Sequence, residues 1–139
     1  ENMFLDAATR TCVEETGGAN FLFVTKEGKI ITPKSKSNSI LPSITRRSLM
    51  VVAKDILGMD IEQREVPIAE VPEFAECGLC GTAAVISPIG YIYDLDTDEK
   101  ITYGDGQTVG ATCLKLYNAL QDIQYGRAED KYNWVLEVK

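Results

Sequence analysis

Three short stretches of this chain carry residue types and spacings able to do chemistry. The first, Ser39-Ile40-Leu41-Pro42-Ser43-Ile44-Thr45-Arg46-Arg47, is a tight polar turn running straight into a segment of helical periodicity. The first N–H groups of a helix have no acceptor within it and sit at the positive end of its dipole, so this start is a receptor for phosphate or carboxylate. The second, Gly81-Thr82-Ala83, combines a glycine that permits close backbone approach with a hydroxyl donor. The third, Glu14-Glu15-Thr16-Gly17-Gly18-Ala19-Asn20, sets two carboxylates before a glycine turn. On a strand over 11–15, Val13 and Glu15 share a face while Glu14 points away with Cys12. With Val13 turned inward, Glu15 is a buried carboxylate that asks for a cation or a proton. The alternative is a solvated Glu-Glu pair.

The elements that must position these stretches follow from periodicity and turn chemistry. Runs at 3–6 and 11–15 flank Ala7-Ala8-Thr9-Arg10 as a hairpin. The apolar run 20–24 is answered by 29–32 across Lys26-Glu27-Gly28, with glycine where positive φ is needed. Thr45 reads as an N-cap, and Leu49, Val52, Ala53, Ile56 and Leu57 predict a helix over 45–57 stopped by Gly58. A strand is expected over 61–66 and a short acidic helix over 68–77, with Pro72 near its first turn. A β-prone run over 81–88 comes next, then hairpin strands at 89–93 and 100–102. Thr108 caps a second helix with Val109, Cys113, Leu116, Tyr117, Leu120 and Ile123 on its inner stripe, and 134–138 reads as a last strand. Mixed β and α with no repeat and no linker predicts one compact α+β domain over 1–139, and the opening at Glu1 suggests a piece of something larger.

Composition narrows the function classes. At 139 residues, 45% hydrophobic and 25% charged, the chain has material for a real core and reads as a soluble globular domain. A net charge of −7 argues against nucleic acid or an anionic membrane as the main partner and favours a small ligand or a protein. With no histidine, Ser-His-Asp and Cys-His catalysis are excluded from this chain. Cys77-Gly78-Leu79-Cys80 lacks the second ligand pair of a zinc site and the strand-then-helix setting of a thioredoxin motif, so Cys12, Cys77, Cys80 and Cys113 are expected to be reduced thiols and no metal is expected. The acidic turn 94–98 does not fit a calcium loop.

Taken as a series, Val13-Glu14-Glu15-Thr16-Gly17-Gly18-Ala19-Asn20, Ile40-Leu41-Pro42-Ser43-Ile44-Thr45-Arg46 and Gly81-Thr82-Ala83-Ala84-Val85-Ile86-Ser87-Pro88 closely resemble the branched-chain amino acid aminotransferases, pyridoxal 5′-phosphate (PLP) enzymes of fold type IV. Asp122-Ile123-Gln124-Tyr125-Gly126 and the Trp134 region extend the likeness to the C-terminus. The resemblance implies the C-terminal, PLP-cradling domain of that fold, mixed β-structure packed with two longer helices. It implies PLP as cofactor, with Glu15 at the pyridinium nitrogen, Leu41 against the ring, and Ile44, Thr45 and Thr82 at the phosphate. Ala83 would offer its N–H to the substrate carboxylate, with Gly18 and Ala19 also at the substrate. The implied reaction of the intact enzyme is transamination of leucine, isoleucine or valine with 2-oxoglutarate, in a cytoplasmic homodimer.

Two departures from the family pattern bear on substrate. Gly18-Ala19 stands where a threonine-methionine pair is usual, and Ser43 where glycine usually follows the proline. The family's Schiff-base lysine lies in a motif upstream of the glutamate strand, which is absent here, as is the N-terminal domain. The expectation is therefore no catalytic residue in this chain and no turnover by it alone. D-amino-acid aminotransferase and aminodeoxychorismate lyase share the scaffold and stand as alternatives, as does a non-catalytic phosphate- or PLP-binding or interaction domain.

Overall fold

The structure is a computed structural model and describes residues 1–138. Its centre is β3 (Asn20–Val24), all five residues of which are buried. A strand covered on both faces needs apolar side chains at successive positions, which is why this segment does not alternate. β3 makes the expected hairpin with β4 (Ile30–Pro33), its turn containing Gly28 at φ +85°. β1 (Met3–Leu5) and β2 (Val13–Thr16) form the first hairpin. The Asp6 carboxylate pins its connection by accepting from the N–H groups of Thr9, Thr11 and Cys12.

Beyond β4 the chain crosses over through a helical segment and returns as β5 (Ile61–Arg64), parallel to β4. β6 (Glu76–Gly81) pairs with β3 along its full length, and β7 (Val85–Ile89) pairs with β6, completing a seven-stranded sheet. Because β6 occupies one edge of β3 entirely, β2 and β4 share the other: Asn20 pairs with Glu15 of β2, and Phe23 and Val24 with β4. The sheet forks there. The Thr32 hydroxyl donates to the Phe21 carbonyl at 2.9 Å at the branch, supplying a bond in place of the ladder.

Two cores lie on opposite faces of β3. Leu22, Val24 and Ile30 pack under the helices with Leu49, Val52, Leu116, Leu120 and Ile123. Phe21, Phe23 and Ile31 pack on the other face with Val13, Val66, Val71, Phe74 and Leu79. β8 (Tyr91–Asp94) and β9 (Glu99–Thr102) make the expected acidic-turn hairpin beside this second core.

Several expectations are corrected. The helix expected over 45–57 is α1 (Ile44–Val51) continued by a π-helical turn, Val52–Ile56, before Gly58 at φ +61°. Its cap is Ser43, not Thr45: the Ser43 hydroxyl accepts the Arg46 N–H at 3.1 Å. The acidic helix expected over 68–77 is a 3₁₀ turn, Ile68–Glu73, and Cys77 lies on β6, where flanking strands override local propensity. On β6 the two cysteines face opposite cores, Cys77 against Phe23 and Cys80 under α1, so they cannot form a disulfide with each other.

The second helix, α2 (Ala111–Gln124), is not capped by Thr108, which instead donates to Asp105. Glu76 caps it from β6, its carboxylate accepting the Thr112 and Cys113 N–H groups at 3.0 and 2.9 Å. Residues 134–138 form no strand: Asp130 takes the N–H groups of Tyr132 and Val135, turning the chain away from any ladder.

Candidate functional site

The candidate site is built at the fork. Glu15 stands on β2, opposite Asn20 of β3, with the turn Thr16-Gly17-Gly18-Ala19 between them. Thr16 closes that turn, its hydroxyl oxygen accepting from the Ala19 N–H at 3.0 Å while its own N–H donates to the Ala19 carbonyl. Asn20, only 3% exposed, donates through Nδ2 to Glu15 Oε2 at 2.9 Å and to the Leu41 carbonyl at 3.4 Å. The Leu41 N–H in turn reaches both Glu15 carboxylate oxygens, at 3.2 and 3.1 Å. One carboxylate and one carboxamide therefore fix the loop 34–42 where it enters α1.

Glu15 is half-buried, and it has no ion-pair partner among the described residues; two neutral N–H donors take the place of the cation expected of a buried carboxylate. A carboxylate has about four acceptor positions, so these donors leave capacity for another N–H. The more buried member of the pair is Glu14, 9% exposed, which accepts from the hydroxyls of Ser35 and Ser39. Sequence reasoning included Glu14 and Asn20 in the third stretch but gave neither a role, and it missed Ser35 and Ser39, for which the serine spacing 35, 37, 39 was the available signal.

Ser43 as cap spends its oxygen on Arg46 and leaves the N–H groups of Ile44 and Thr45 without an acceptor among the described residues. Both point out of the first turn, where the helix dipole favours an anion. Arg46 adds a buried cation one residue on. It is 5% exposed, its Nη1 donates to the Pro33 carbonyl at 3.2 Å, and its Nε has no partner among the described residues. Burial lowers the Arg46 pKa, while neighbouring Cys80 and Glu15 act to raise it. Around this start Leu41 and Ile44 hold large apolar side chains in the open, 70% and 73% exposed.

The third stretch is the hairpin turn of β6 and β7. Gly81 pairs with Val85, and Thr82, Ala83 and Ala84 are exposed between them. A Cβ on Gly81 would stand 3.5 Å from the Gly18 carbonyl and 3.8 Å from the Ala19 Cβ, so this turn and the 16–19 turn lie against each other. Val85 closes the loop at φ +59°, an unfavourable conformation for a β-branched residue and a local store of strain. Gly18, Ala19 and Ala83 share an open cavity of 1390 Å³ whose wall includes Phe21, Leu79 and Ile92. The structure thus ties Glu15 to Leu41 by hydrogen bonds, three residues before the open N–H groups of Ile44 and Thr45, and brings Gly18, Ala19 and Ala83 into one cavity. Thr82 is joined to neither by a hydrogen bond among the described residues.

The buried thiols take no part. Burial pushes the Cys80 thiol up to about 12 even though Arg46 lowers it, and burial pushes Cys113 up to about 12 as well. No group of histidine, cysteine or carboxylate side chains suited to a metal occurs among the described residues.

Residues 1–92 match the amino-transferase class IV family. The chain belongs to the class IV aminotransferases. All the residues assembled above, from Glu14 to Val85, lie within that match. This aminotransferase chain is 44% identical to the branched-chain-amino-acid aminotransferase of Haemophilus influenzae, over 99% of its own length and 39% of the relative's. It is 42% identical to that of Helicobacter pylori, over 98% and 38%. Among solved structures, the Escherichia coli branched-chain amino acid aminotransferase superposes with a TM-score of 0.79 at 28% identity, over 95% of this chain and 40% of that one. The Thermobaculum terrenum enzyme in its PLP form gives 0.72 at 33% identity, over 91% and 38%. The chain thus spans about two fifths of the length of the relatives it matches. The mixed sheet with helices packed on one face agrees with the expected α+β, fold type IV architecture.

Proposed function

We propose that residues 1–139 are one domain, the cofactor-cradling part of a PLP-dependent aminotransferase that acts on leucine, isoleucine or valine with 2-oxoglutarate. The observation that carries this reading is the link from the Glu15 carboxylate through Leu41 to a helix start with two open N–H groups. A ligand bearing a basic ring nitrogen at one end and a phosphate at the other matches that pair of features. The donor set fits PLP: spare acceptor capacity on Glu15, open N–H groups at Ile44 and Thr45, and a buried Arg46 with an unpartnered Nε.

Glu15 accepts a hydrogen bond from the pyridine nitrogen and holds a proton there. Ile44 and Thr45 bind the phosphate through backbone N–H groups, and the Thr82 hydroxyl adds a donor. Leu41 presents its exposed side chain to the ring face. Ala83 donates its N–H to the substrate carboxylate. Gly18 and Ala19, without bulk, leave the apolar wall of the adjoining cavity open to a branched side chain. When bound, PLP supplies a protonated ring that withdraws electrons from the amino acid's α-carbon.

The Schiff-base lysine and the rest of the pocket come from the remaining polypeptide, a reading supported by relatives more than twice as long. We place the intact enzyme in the cytoplasm as a homodimer; among the described residues no helix is long and apolar enough to cross a membrane. The test is transamination by the intact protein with L-leucine and 2-oxoglutarate, and with D-alanine in parallel. Turnover of L-leucine is expected, and Glu15→Gln should lower kcat about a hundredfold. D-alanine as the better donor would reassign the substrate class, and PLP binding without transamination would make this a binding domain.

A further inference from the structure

We infer that Glu14, the residue beside Glu15, is a positioning residue for the phosphate end of the site. The inference rests on the reading of Ile44 and Thr45 as phosphate donors and deepens it. Residues 34–42 connect β4 to α1 with no regular structure, and the anion-binding N–H groups follow immediately. Such a loop is held in one place only by what its side chains and backbone grip.

Two successive residues of β2 grip it, beside the Asn20 contact to the Leu41 carbonyl and the Lys34 N–H bond to the Arg64 carbonyl. Glu15 takes the far end through the Leu41 N–H. Glu14 takes the near part through Ser35 Oγ, at 2.7 Å, and Ser39 Oγ. Ser35 and Ser39 also lie within 2.7 Å of each other, and Ser37 Oγ donates to Ser39 Oγ at 3.0 Å, so two hydroxyls meet the carboxylate and a third backs them. Between the two grips sits Ile40, the only residue from 34 to 42 whose side chain is buried. Side-chain hydroxyls are adequate partners for a carboxylate that is 9% exposed, and each bond to the charged group is stronger than a neutral one.

Sign separates positioning from electrostatics. Glu14 carries the same charge as a phosphate, so removing it should tighten anion binding if only the field mattered. If Glu14 acts by holding the loop, removing it loosens the N–H groups and weakens binding.

The test measures equilibrium binding of PLP and of pyridoxal, which lacks the phosphate, to the full-length apoprotein. Glu14→Ala is expected to raise the PLP dissociation constant about tenfold and the pyridoxal constant less than about twofold. Ser35→Ala with Ser39→Ala is expected to reproduce that loss, and Glu14→Ala added to the pair to cost nothing more. Glu14→Gln, whose amide oxygen still accepts from hydroxyls, should restore affinity to within about threefold. If Glu14→Ala does not fold, the double serine variant, which removes only two hydroxyls from the loop, carries the test by the same criterion. Unchanged or tighter PLP binding, or equal losses for PLP and pyridoxal, overturns the role of Glu14. Wild-type protein that binds PLP no better than pyridoxal overturns the phosphate reading itself, and this inference with it.

Discussion

Replacing Asn20 by alanine should uncouple the fork from the loop it carries. The carboxamide gives one hydrogen bond to a charged acceptor at 2.9 Å and a longer one, 3.4 Å, to the Leu41 carbonyl. A bond to a charged group contributes about 1.5–3 kcal/mol, and a long neutral bond about 0.5. Because Glu15 is half-buried, water can replace part of the lost donor, which places the net cost near the lower end, about 2 kcal/mol. That is about a thirtyfold fall in the ratio of folded to unfolded protein. The informative assay is a double-mutant cycle by urea denaturation of the apoprotein, with Asn20→Ala, Glu15→Ala and the pair. A coupling of about 1–2 kcal/mol is expected between Asn20 and Glu15, against less than about 0.5 between Asn20 and Glu14, whose carboxylate turns to the serines. Additive effects of Asn20 and Glu15 would refute the view that the carboxamide holds this carboxylate in place.

Three further outcomes follow from the geometry. Glu76→Ala should cost about 1–2 kcal/mol by removing the cap of α2, with faster amide exchange at Thr112 and Cys113 than elsewhere in the helix. Three donor contacts from Gln107 and Thr108 hold the Asp105 carboxyl down at about 2, below its ordinary 3.8. Since the folded value is the lower one, the stability this turn gains is fully present above pH 3.8 and is lost as pH falls toward 2, which carboxyl NMR titration reads directly. In native protein a thiol reagent should modify half-exposed Cys12 first, leaving Cys77, Cys80 and Cys113 unreacted until unfolding.

The parts of the fold legible in the sequence are those set by local chemistry. The β3–β4 hairpin follows from an apolar run and a glycine at the one turn position requiring positive φ. The start of α1 was readable to within two residues, but Ser43 and Thr45 are equally good caps on paper. The difference matters, because a cap at Thr45 would leave open the N–H groups of Arg46 and Arg47 rather than those of Ile44 and Thr45.

What was not legible depends on distant partners. Two glycines and two cysteines give β6 little strand propensity, and only β3 and β7 on its edges make it one. Val13 and Glu15 do alternate with Glu14 as expected, yet Glu14 is the more buried because the serine loop folds over it. The terminal Trp134-Val135-Leu136 looks like a strand and joins no ladder, while Tyr132 and Trp134 stack on each other 4.7 Å apart.

The forked edge of β3 also sets how the domain comes apart. β2 is joined to β3 by a single residue pair, Glu15 with Asn20, whereas β6 is zipped to β3 over five. Peeling the first hairpin from β3 breaks that single pair, though the hairpin stays tied to residues 66–68 through the Val13 N–H on the Val66 carbonyl and the Ile68 N–H on the Thr11 carbonyl; its departure carries off Glu14 and Glu15 together, releasing the loop at both of its moorings. The sheet behind them keeps its ladder intact. The β2–β3 seam, the shortest of the three registers along β3, runs through the candidate site, so a ligand seated across it acts as a stitch.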